Sequence, residues 1–388
     1  MPQVHFTLKQ EDIQKLINES VSNDLSKSIL TTVFNQLMER ERTEYINADN
    51  YERTDDRVTS RNGYYDRAYL TRVGNLELKV PRTRDGKFSP SIFEKYQRSE
   101  KALLASMLEM YVSGVSTRKV TNIVEELCGK SVSKSFVSSL TKELDGVVET
   151  WRNSSLEGTN YLYLMVDVLF IKVRENHRVV SKGCHVAIGI TDEGNREIID
   201  FLIQDGESEE SWSNFFAHLK ARKLKDIKMV ISDAHKGLIN AIKTSFPGVS
   251  WQRCQVHFLR NILSCIPKKD SKTFREQVKA IFRLTNIDAA RVAKNLLVEA
   301  YEGQVKYEKA CRILDEGFED AFQYSVNGIA HPRLRSTNLL ERLNEEIRRR
   351  EKVIRIFPNV ASATRLIGAI LIDQQDKWLE SSRAYIKM

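Results

Sequence analysis

YLYLMVDVLFIKVR (residues 161–174) is a β-prone apolar run that carries one carboxylate, Asp167, in its middle. It is too short to cross a bilayer and has the composition of a buried strand. A lone carboxylate at such a place is costly unless it is paired or binds a cation, which makes Asp167 the first candidate for chemistry. Downstream, strands and helices alternate. A second strand is expected over 179–191, a tight turn at Asp192-Glu193-Gly194-Asn195 and a third strand over 197–203. An amphipathic helix over 209–223 leads to a short apolar strand over 228–232, which ends at Asp233. A helix over 236–244, a last strand over 249–253 and a helix over 256–265 complete the alternation.

Three strands in succession, then helix, strand, helix, strand and helix, predict an α/β layer architecture. The order matches a ribonuclease H-like sheet, in which the first and fourth strands lie side by side. With those strands parallel, Asp167 and Asp233 meet at the edge where α/β sheets expose their side chains. Residues 268–330 have helical periodicity only and read as an all-helical insertion. The helix carrying Leu339–Arg350 follows, then a break at Phe357-Pro358-Asn359 and a final helix near 360–377.

On the N-terminal side, apolar residues spaced near 3.6 predict a helical region over 9–47, and 48–62 is a polar linker. Tyr64–Pro81 reads as an arginine-studded β-hairpin whose halves meet at Gly74-Asn75. A helix over 115–128, a turn at 129–133 and a second helix capped by Ser133 and running through Leu144 outline a helix-turn-helix. That motif would present Ser133, Lys134, Ser135 and Ser138 to DNA. An ordinary helical hairpin fits these residues equally. The expected organisation is therefore 1–47 helical with a possible dimerisation role, 48–98 linker and basic hairpin, and 99–152 helix-turn-helix-like. A catalytic α/β domain would span 153–266 and 334–388, interrupted by the insertion at 267–333.

Lys and Arg number 60 against 52 Asp and Glu, a net charge of +8 that suits a polyanionic partner without proving one. Basic side chains gather in 52–98, with Arg61, Arg67, Arg72, Arg82 and Arg84, and again in 333–355, with Arg342, Arg348 and Arg349. The five cysteines are scattered, odd in number and without paired spacing, which argues against a disulfide framework and for a reducing cytosol. The N-terminus has no signal-peptide pattern and no run is long enough to span a membrane. A soluble, cytoplasmic protein is expected.

A helix bearing Glu341 across the sheet edge would bring a third carboxylate to Asp167 and Asp233. Three hard oxygen donors suit Mg²⁺ or Mn²⁺, and such a cluster can hold two ions about 3.5–4 Å apart on the attacking and leaving oxygens of a phosphodiester. Taken singly, each acid has an ordinary explanation. Asp233 could cap the next helix, and Glu341 could pair with Arg342 or Arg348.

The segments RNGYYDRAYLTRVGNLELKVPRTRDGKF (61–88), GESEESW (206–212), SDAHKGL (232–238), WQRCQVH (251–257) and STNLLERLNEEIRRREKVIRIFPN (336–359), with the Asp167 strand, carry a resemblance. Over nearly its full length the chain resembles the Mutator-type bacterial insertion-sequence transposases. The resemblance implies that Asp167, Asp233 and Glu341 are an acidic DDE triad, with a helical insertion in the long interval before Glu341. It further implies nucleoid-associated action on the terminal inverted repeats of the element and on target DNA, by at least a homodimer, through a circular intermediate begun by cleaving one strand. Cys254-x-x-His257 also matches the family. As a zinc site it is only half of a tetrahedron. A packed Cys with a hydrogen-bonded His, or His257 and His235 touching the scissile phosphate or tuning the triad, are the other readings. Trp212 is core by its ordinary reading and a base-stacking residue by the functional one. Arg342, Arg348 and Arg349 form either a solvated face or a grip on DNA phosphates. Alternatives to a transposase are a ribonuclease H-like nuclease or resolvase, which cleaves without joining, and a transposase-derived DNA-binding regulator, which needs no triad.

Overall fold

A computed structural model describes residues 25–71, 74–93, 101–128, 132–267, 269, 271–326, 331–381 and 384–387. The chain divides into two compact units, Met1–Thr141 and Lys142–Met388.

The first unit opens with helix α1 (Leu25–Ile46), and the part of the expected helix before Leu25 lies outside the described residues. Strands β1 (Arg61–Thr71) and β2 (Gly74–Thr83) pair antiparallel. Alternation along β2 buries Leu76, Leu78 and Val80 and exposes Glu77 and Lys79, so one face of the hairpin is apolar. That face packs with Met38 of α1, Tyr69 and Phe93. The hairpin differs from expectation at its turn. Gly74 and Asn75 are paired strand residues, opposite Thr71 and Leu70, and the connection at 72–73 lies outside the described residues, Arg72 included. Thr71 Oγ1 donates to the carbonyl of Gly74 at 2.7 Å, which ties the strand ends together at the first residue of the expected Gly74-Asn75 turn.

Helices α2 (Lys101–Val112), α3 (Thr117–Cys128) and α4 (Lys134–Thr141) complete the unit around Leu103, Met107, Val120, Val124, Val137 and Leu140. The turn at 129–131 is outside the described residues. Ser133 does begin α4, with its Oγ accepting the N–H of Phe136 at 3.0 Å. The helix stops at Thr141, however, not at Leu144. Thr141 Oγ1 bonds back to the carbonyl of Ser138 at 2.8 Å, the local competition by which Thr loosens a helix.

The second unit begins with α5 (Glu143–Asn153) and continues as β3 (Tyr161–Glu175), β4 (Arg178–Thr191), β5 (Arg196–Gln204), α6 (Glu209–Ala221), β6 (Met229–Ser232), α7 (Lys236–Ser245), β7 (Ser250–Arg253) and α8 (Gln255–Ser264). Helices α9 (Lys272–Ile281), α10 (Ile287–Ala300), α11 (Val305–Gly317) and the single turn α12 (Gln323–Val326) follow, then α13 (Asn338–Ile354) and α14 (Val360–Leu379). The five strands form one mixed α/β sheet in the order β5-β4-β3-β6-β7, antiparallel from β3 outward to β5 and parallel from β3 through β6 to β7. Side chains of β3 are buried on both faces, Leu164 and Val166 on one and Tyr163 and Met165 on the other, as expected of a central strand with layers on each side. Beyond α13, Phe357 makes a parallel bridge to Val173, its N–H donating to Lys172 O at 2.9 Å and its carbonyl accepting from Arg174 N at 2.8 Å. That bridge fastens the end of α13 to the strand that carries Asp167. Among the described residues no helix is long and apolar enough to cross a membrane.

Candidate active site

Register places the first two acids. Leu164 lies opposite Val230 and Met165 opposite Ile231 across the parallel β3–β6 pair. Asp167 and Asp233 each fall two residues further on, at the same level of adjacent strands. The Oδ1 of Asp167 accepts the N–H of Val168 at 2.9 Å, and its Oδ2 accepts Nδ2 of Asn344 at 2.8 Å. Burial pushes its carboxyl up to about 6; Asp233 and Glu207 add to this, and the Val168 N–H and His257 oppose it. Asp233 Oδ1 accepts the N–H of His235 at 3.3 Å, in the turn that starts α7.

A third acid at this edge, Glu207, was not singled out by the sequence. It stands just before Ser208, which caps α6 through a reciprocal capping box with Ser211. The preceding Gly206 adopts φ +69, a left-handed conformation that glycine takes without strain. Gly237 lets α7 approach this corner, since a Cβ there would come within 2.7 Å of Glu209 N. Glu207 Oε1 accepts the Trp212 indole N–H at 3.2 Å and lies 3.6 Å from His235 Nδ1. Burial, then the charge on Asp233, raises its carboxyl above the ordinary range. Trp212 is fully buried, edge-on to His185 at 4.4 Å and stacked on Phe216 at 5.7 Å. Its ring faces are enclosed by the core, and it reaches the site through its N–H alone.

Glu341 occupies the first turn of α13. Its Oε1 is 3.4 Å from His257 Nε2 and 3.5 Å from an Arg260 guanidinium nitrogen. The structure thus brings Asp167, Asp233 and Glu207 to one edge, while Glu341 is linked to them through His257 and, one turn along its helix, Asn344. Among the described residues no three His, Cys, Asp or Glu side chains are gathered tightly enough to hold a metal ion. The donor set is nonetheless of the right kind for a hard divalent cation. It is all oxygen, and Asp167 is largely buried with only a neutral amide and a backbone N–H bonded to it.

Among the described residues, Cys254 and His257 are met by Thr337 and Glu341 and by no further sulfur or nitrogen ligand. Cys254 is buried at the start of α8, where its sulfur accepts from Thr337 N at 3.4 Å and Thr337 Oγ1 at 3.3 Å, tying α8 to the start of α13. Burial disfavours its thiolate, but hydrogen bonding from His257 and Thr337 outweighs this and holds its pKa below the ordinary value. The same contact to the Cys254 sulfur, then Asp167 and Glu341, raises His257 to about 9 against the cost of its own burial. His257 Nδ1 is buried and makes no regular hydrogen bond among the described residues.

The basic residues separate into two kinds. Arg61 is absorbed by the fold, donating to Asp49 O, Ala48 O and Thr43 Oγ1 at 2.9–3.1 Å. Arg82 and Arg84 are exposed, Arg82 lies over the Tyr65 ring at 4.7 Å and Arg67 over Phe93 at 4.0 Å. Together with Phe88 they line a groove of about 360 Å³. Ser133 serves as a helix cap, with Ser135 Oγ 2.9 Å from its hydroxyl, and Lys134 beside it is exposed. On α13, Arg342, Arg348 and Arg349 are exposed, with Arg349 3.3 Å from Glu346.

The profile "Transposase, Mutator family" matches residues 1–381. The transposase for insertion sequence element IS256 in transposon Tn4001, from Staphylococcus aureus, is 68% identical over 386 residues, covering 100% of this chain and 99% of that one. The transposase for insertion sequence element ISRM5, from Rhizobium meliloti, is 41% identical over 363 residues, 93% of this chain and 90% of its own. A solved chain of the Drosophila P element transposase strand transfer complex overlaps 76% of this chain and 83% of itself, at 10% identity and a TM-score of 0.32, too slight a likeness to argue from. The chain belongs to the Mutator family of transposases.

Proposed function

We propose that this transposase binds the terminal inverted repeats of its own insertion sequence and cuts and joins DNA strands at a DDE site formed by Asp167, Asp233 and Glu341. The observation that carries the reading is Asp167, largely buried on a central strand and level with Asp233 just past the end of the neighbouring parallel strand, with no Lys or Arg hydrogen-bonded to it among the described residues. A buried carboxylate left without such a partner is a place for a bound cation. The α/β sheet is read as a ribonuclease H-like catalytic core over 153–266 and 334–388, with 267–333 as its helical insertion.

Asp167, Asp233 and Glu341 would hold Mg²⁺ or Mn²⁺, which when bound activates an attacking oxygen and neutralises charge on a leaving one. His257 and Arg260 hold the Glu341 carboxylate, and the bridge at Phe357 fixes its helix to β3. In cleavage a water oxygen bonds to phosphorus and the bond to the 3′-oxygen breaks, releasing a 3′-hydroxyl. In joining that hydroxyl attacks a target phosphodiester at the same site. The hairpin arginines Arg82 and Arg84, both exposed, and the half-buried Arg67, the region around Lys134 and Ser135, and Arg342, Arg348 and Arg349 would grip DNA phosphates. Two ends must be held together, which calls for at least a homodimer with α1 contributing to pairing. The setting is the bacterial cytoplasm, at the nucleoid.

The test uses purified protein, Mg²⁺ and labelled DNA carrying the inverted repeats that flank the gene, with Asp167→Asn alongside. Nicking at the element boundary followed by 3′-end joining, lost in the variant and without metal, is the expected result. Binding without metal-dependent cleavage, unchanged in the variant, would leave a DNA-binding regulator instead.

A further inference from the structure

Asn344 lies one helical turn beyond Glu341 on α13, on the same face, and is only 9% exposed. Its Nδ2 donates to Asp167 Oδ2 at 2.8 Å. An ionised carboxylate only accepts, so this contact fixes which end of the amide faces Asp167 and turns Oδ1 elsewhere. That Oδ1 is buried and has no hydrogen-bond partner among the described residues. Buried amide oxygens almost always receive a donor, because leaving one bare is costly. The acids at this edge, Asp167, Asp233 and Glu207, are acceptors, and the two nearby cations, His257 and Arg260, face Glu341. The missing donor is therefore one that arrives with the reaction, and an O–H group is the donor both of its steps supply.

We propose that Asn344 orients the attacking hydroxyl: its amide N–H₂ holds Asp167 in place, and its Oδ1 accepts the O–H of the nucleophile. The inference rests on the strand-cleavage reading of the site. The nucleophile is water in cleavage and a DNA 3′-hydroxyl in joining. Asn344 takes no proton. It holds the O–H so that a lone pair of the oxygen points at phosphorus, and the proton passes to solvent as the oxygen–phosphorus bond forms and the leaving oxygen departs with its electron pair. An amide fits this task because it can donate to a carboxylate and accept from a hydroxyl at once, which neither Asp nor Leu at this position could do.

The test compares the full-length protein with Asn344→Leu, which removes both ends of the amide, and with the isosteric Asn344→Asp, which keeps an acceptor and loses the donor. Each is given intact element ends to cleave and pre-cut ends with a free 3′-hydroxyl to join, and glycerol is added to compete with water. Asn344→Leu is expected to lower cleavage and joining by about 100-fold each, the scale of a misplaced reacting group. Its end-binding affinity and thermal midpoint should stay at wild-type values while the ratio of glycerol to water product changes. Asn344→Asp should lose rate but keep the wild-type ratio, and it carries the test if the Leu variant does not fold. Rates within about threefold of wild type in Asn344→Leu overturn the proposal, as does an unaltered product ratio, which a purely structural role would give. A ratio that moves equally in Asn344→Asp overturns it too. Asp167→Asn run in parallel separates the two claims. If it still cleaves, the reading of the site fails; if it does not and Asn344→Leu is fully active, only this inference does.

Discussion

The central sheet buries two aspartates, and they are kept in opposite ways. Asp200 on β5 is fully buried and meets three basic groups: Arg152 at 3.3 Å, His218 at 2.6 Å and Arg222 at 3.4 Å, with the Phe201 N–H at 2.7 Å. Asp167 on β3 is met by a neutral amide and a backbone N–H, and its nearest charged neighbours include two further carboxylates. Both sit in apolar runs of the same fold. The difference lies in whether the protein supplies the compensating positive charge itself. Where it does, the carboxylate is part of the scaffold; where it does not, the carboxylate is the one proposed to hold a cation.

The comparison breaks most visibly if the two aspartates respond alike to neutralisation. Asp167→Asn should abolish metal-dependent cleavage by on the order of 10⁴-fold, a barrier of about 5.5 kcal/mol, while chemical denaturation without metal shows stability equal to or above wild type. The gain arises because burial and the charges on Asp233 and Glu207 outweigh the nearby His257, so that neutralising Asp167 removes a disfavoured charge. Asp200→Asn should do the reverse. It strands Arg152 and Arg222 against a neutral amide, and a denaturant midpoint should register a loss of about 3–5 kcal/mol, with cleavage per folded molecule unchanged. A stable, inactive Asp200→Asn would mean that the second cluster belongs to the chemistry and not to the scaffold.

How much of this was legible in the residues follows from the same physics. Asp167 is legible because three apolar residues flank it on each side in sequence, so its burial is a local fact, and Asp233 is legible because it follows directly on a short apolar strand. Glu341 stands in a polar, arginine-rich helix where a carboxylate taken singly is unremarkable, and it is marked by the expected place of that helix across the sheet edge together with the family resemblance. Asn344 and Glu207 were not legible at all. Asn344 meets Asp167 across 177 positions of chain, and Glu207 becomes buried only when Trp212 and α7 close over it. Local rules also misplaced two boundaries. Gly74-Asn75 reads as the turn between two β-prone halves, but the register set by the apolar face of β2 draws both residues into the strand. The helix after Ser133 reads as continuous through Leu144, but it ends at Thr141 and the next helix starts at Glu143.

A buried histidine sharpens the comparison from the other sign of charge. His185 is fully enclosed between Trp212 and Phe215, with Ser211 Oγ at 3.2 Å from Nε2. Burial lowers its pKa to about 4. Below its unfolded value near 6.5 the unfolded chain takes up a proton that the folded chain refuses, so stability falls as pH drops from about 6.5 to 4, by roughly 3 kcal/mol in all. Denaturant midpoints across that range check it, and in His185→Asn, which does not titrate, that component should vanish. An unchanged pH slope would show that some other group drives acid unfolding.

The smallest effects are expected in the first unit, where the same division between absorbed and open charge separates arginines. Arg61 spends its donors on carbonyls of Asp49 and Ala48 and on the Thr43 hydroxyl, so it closes the loop after α1 and has little left for a phosphate. Arg84 stands exposed on the groove wall beside Arg82. Arg61→Ala should therefore lower stability by about 1–3 kcal/mol and leave the salt dependence of DNA-end binding unaltered in the folded fraction. Arg84→Ala should leave stability within about 0.5 kcal/mol and reduce the slope of log affinity against log salt by about 0.9, the release of one phosphate's counterion. The two readouts are independent, so exchanged results would be decisive: a shallower salt slope in Arg61→Ala with full stability would show that hydrogen bonds to backbone carbonyls do not take an arginine out of the DNA-binding surface. The rule that distinguishes Asp167 from Asp200 would then hold for buried acids and fail for bases at the surface, where water competes for both partners.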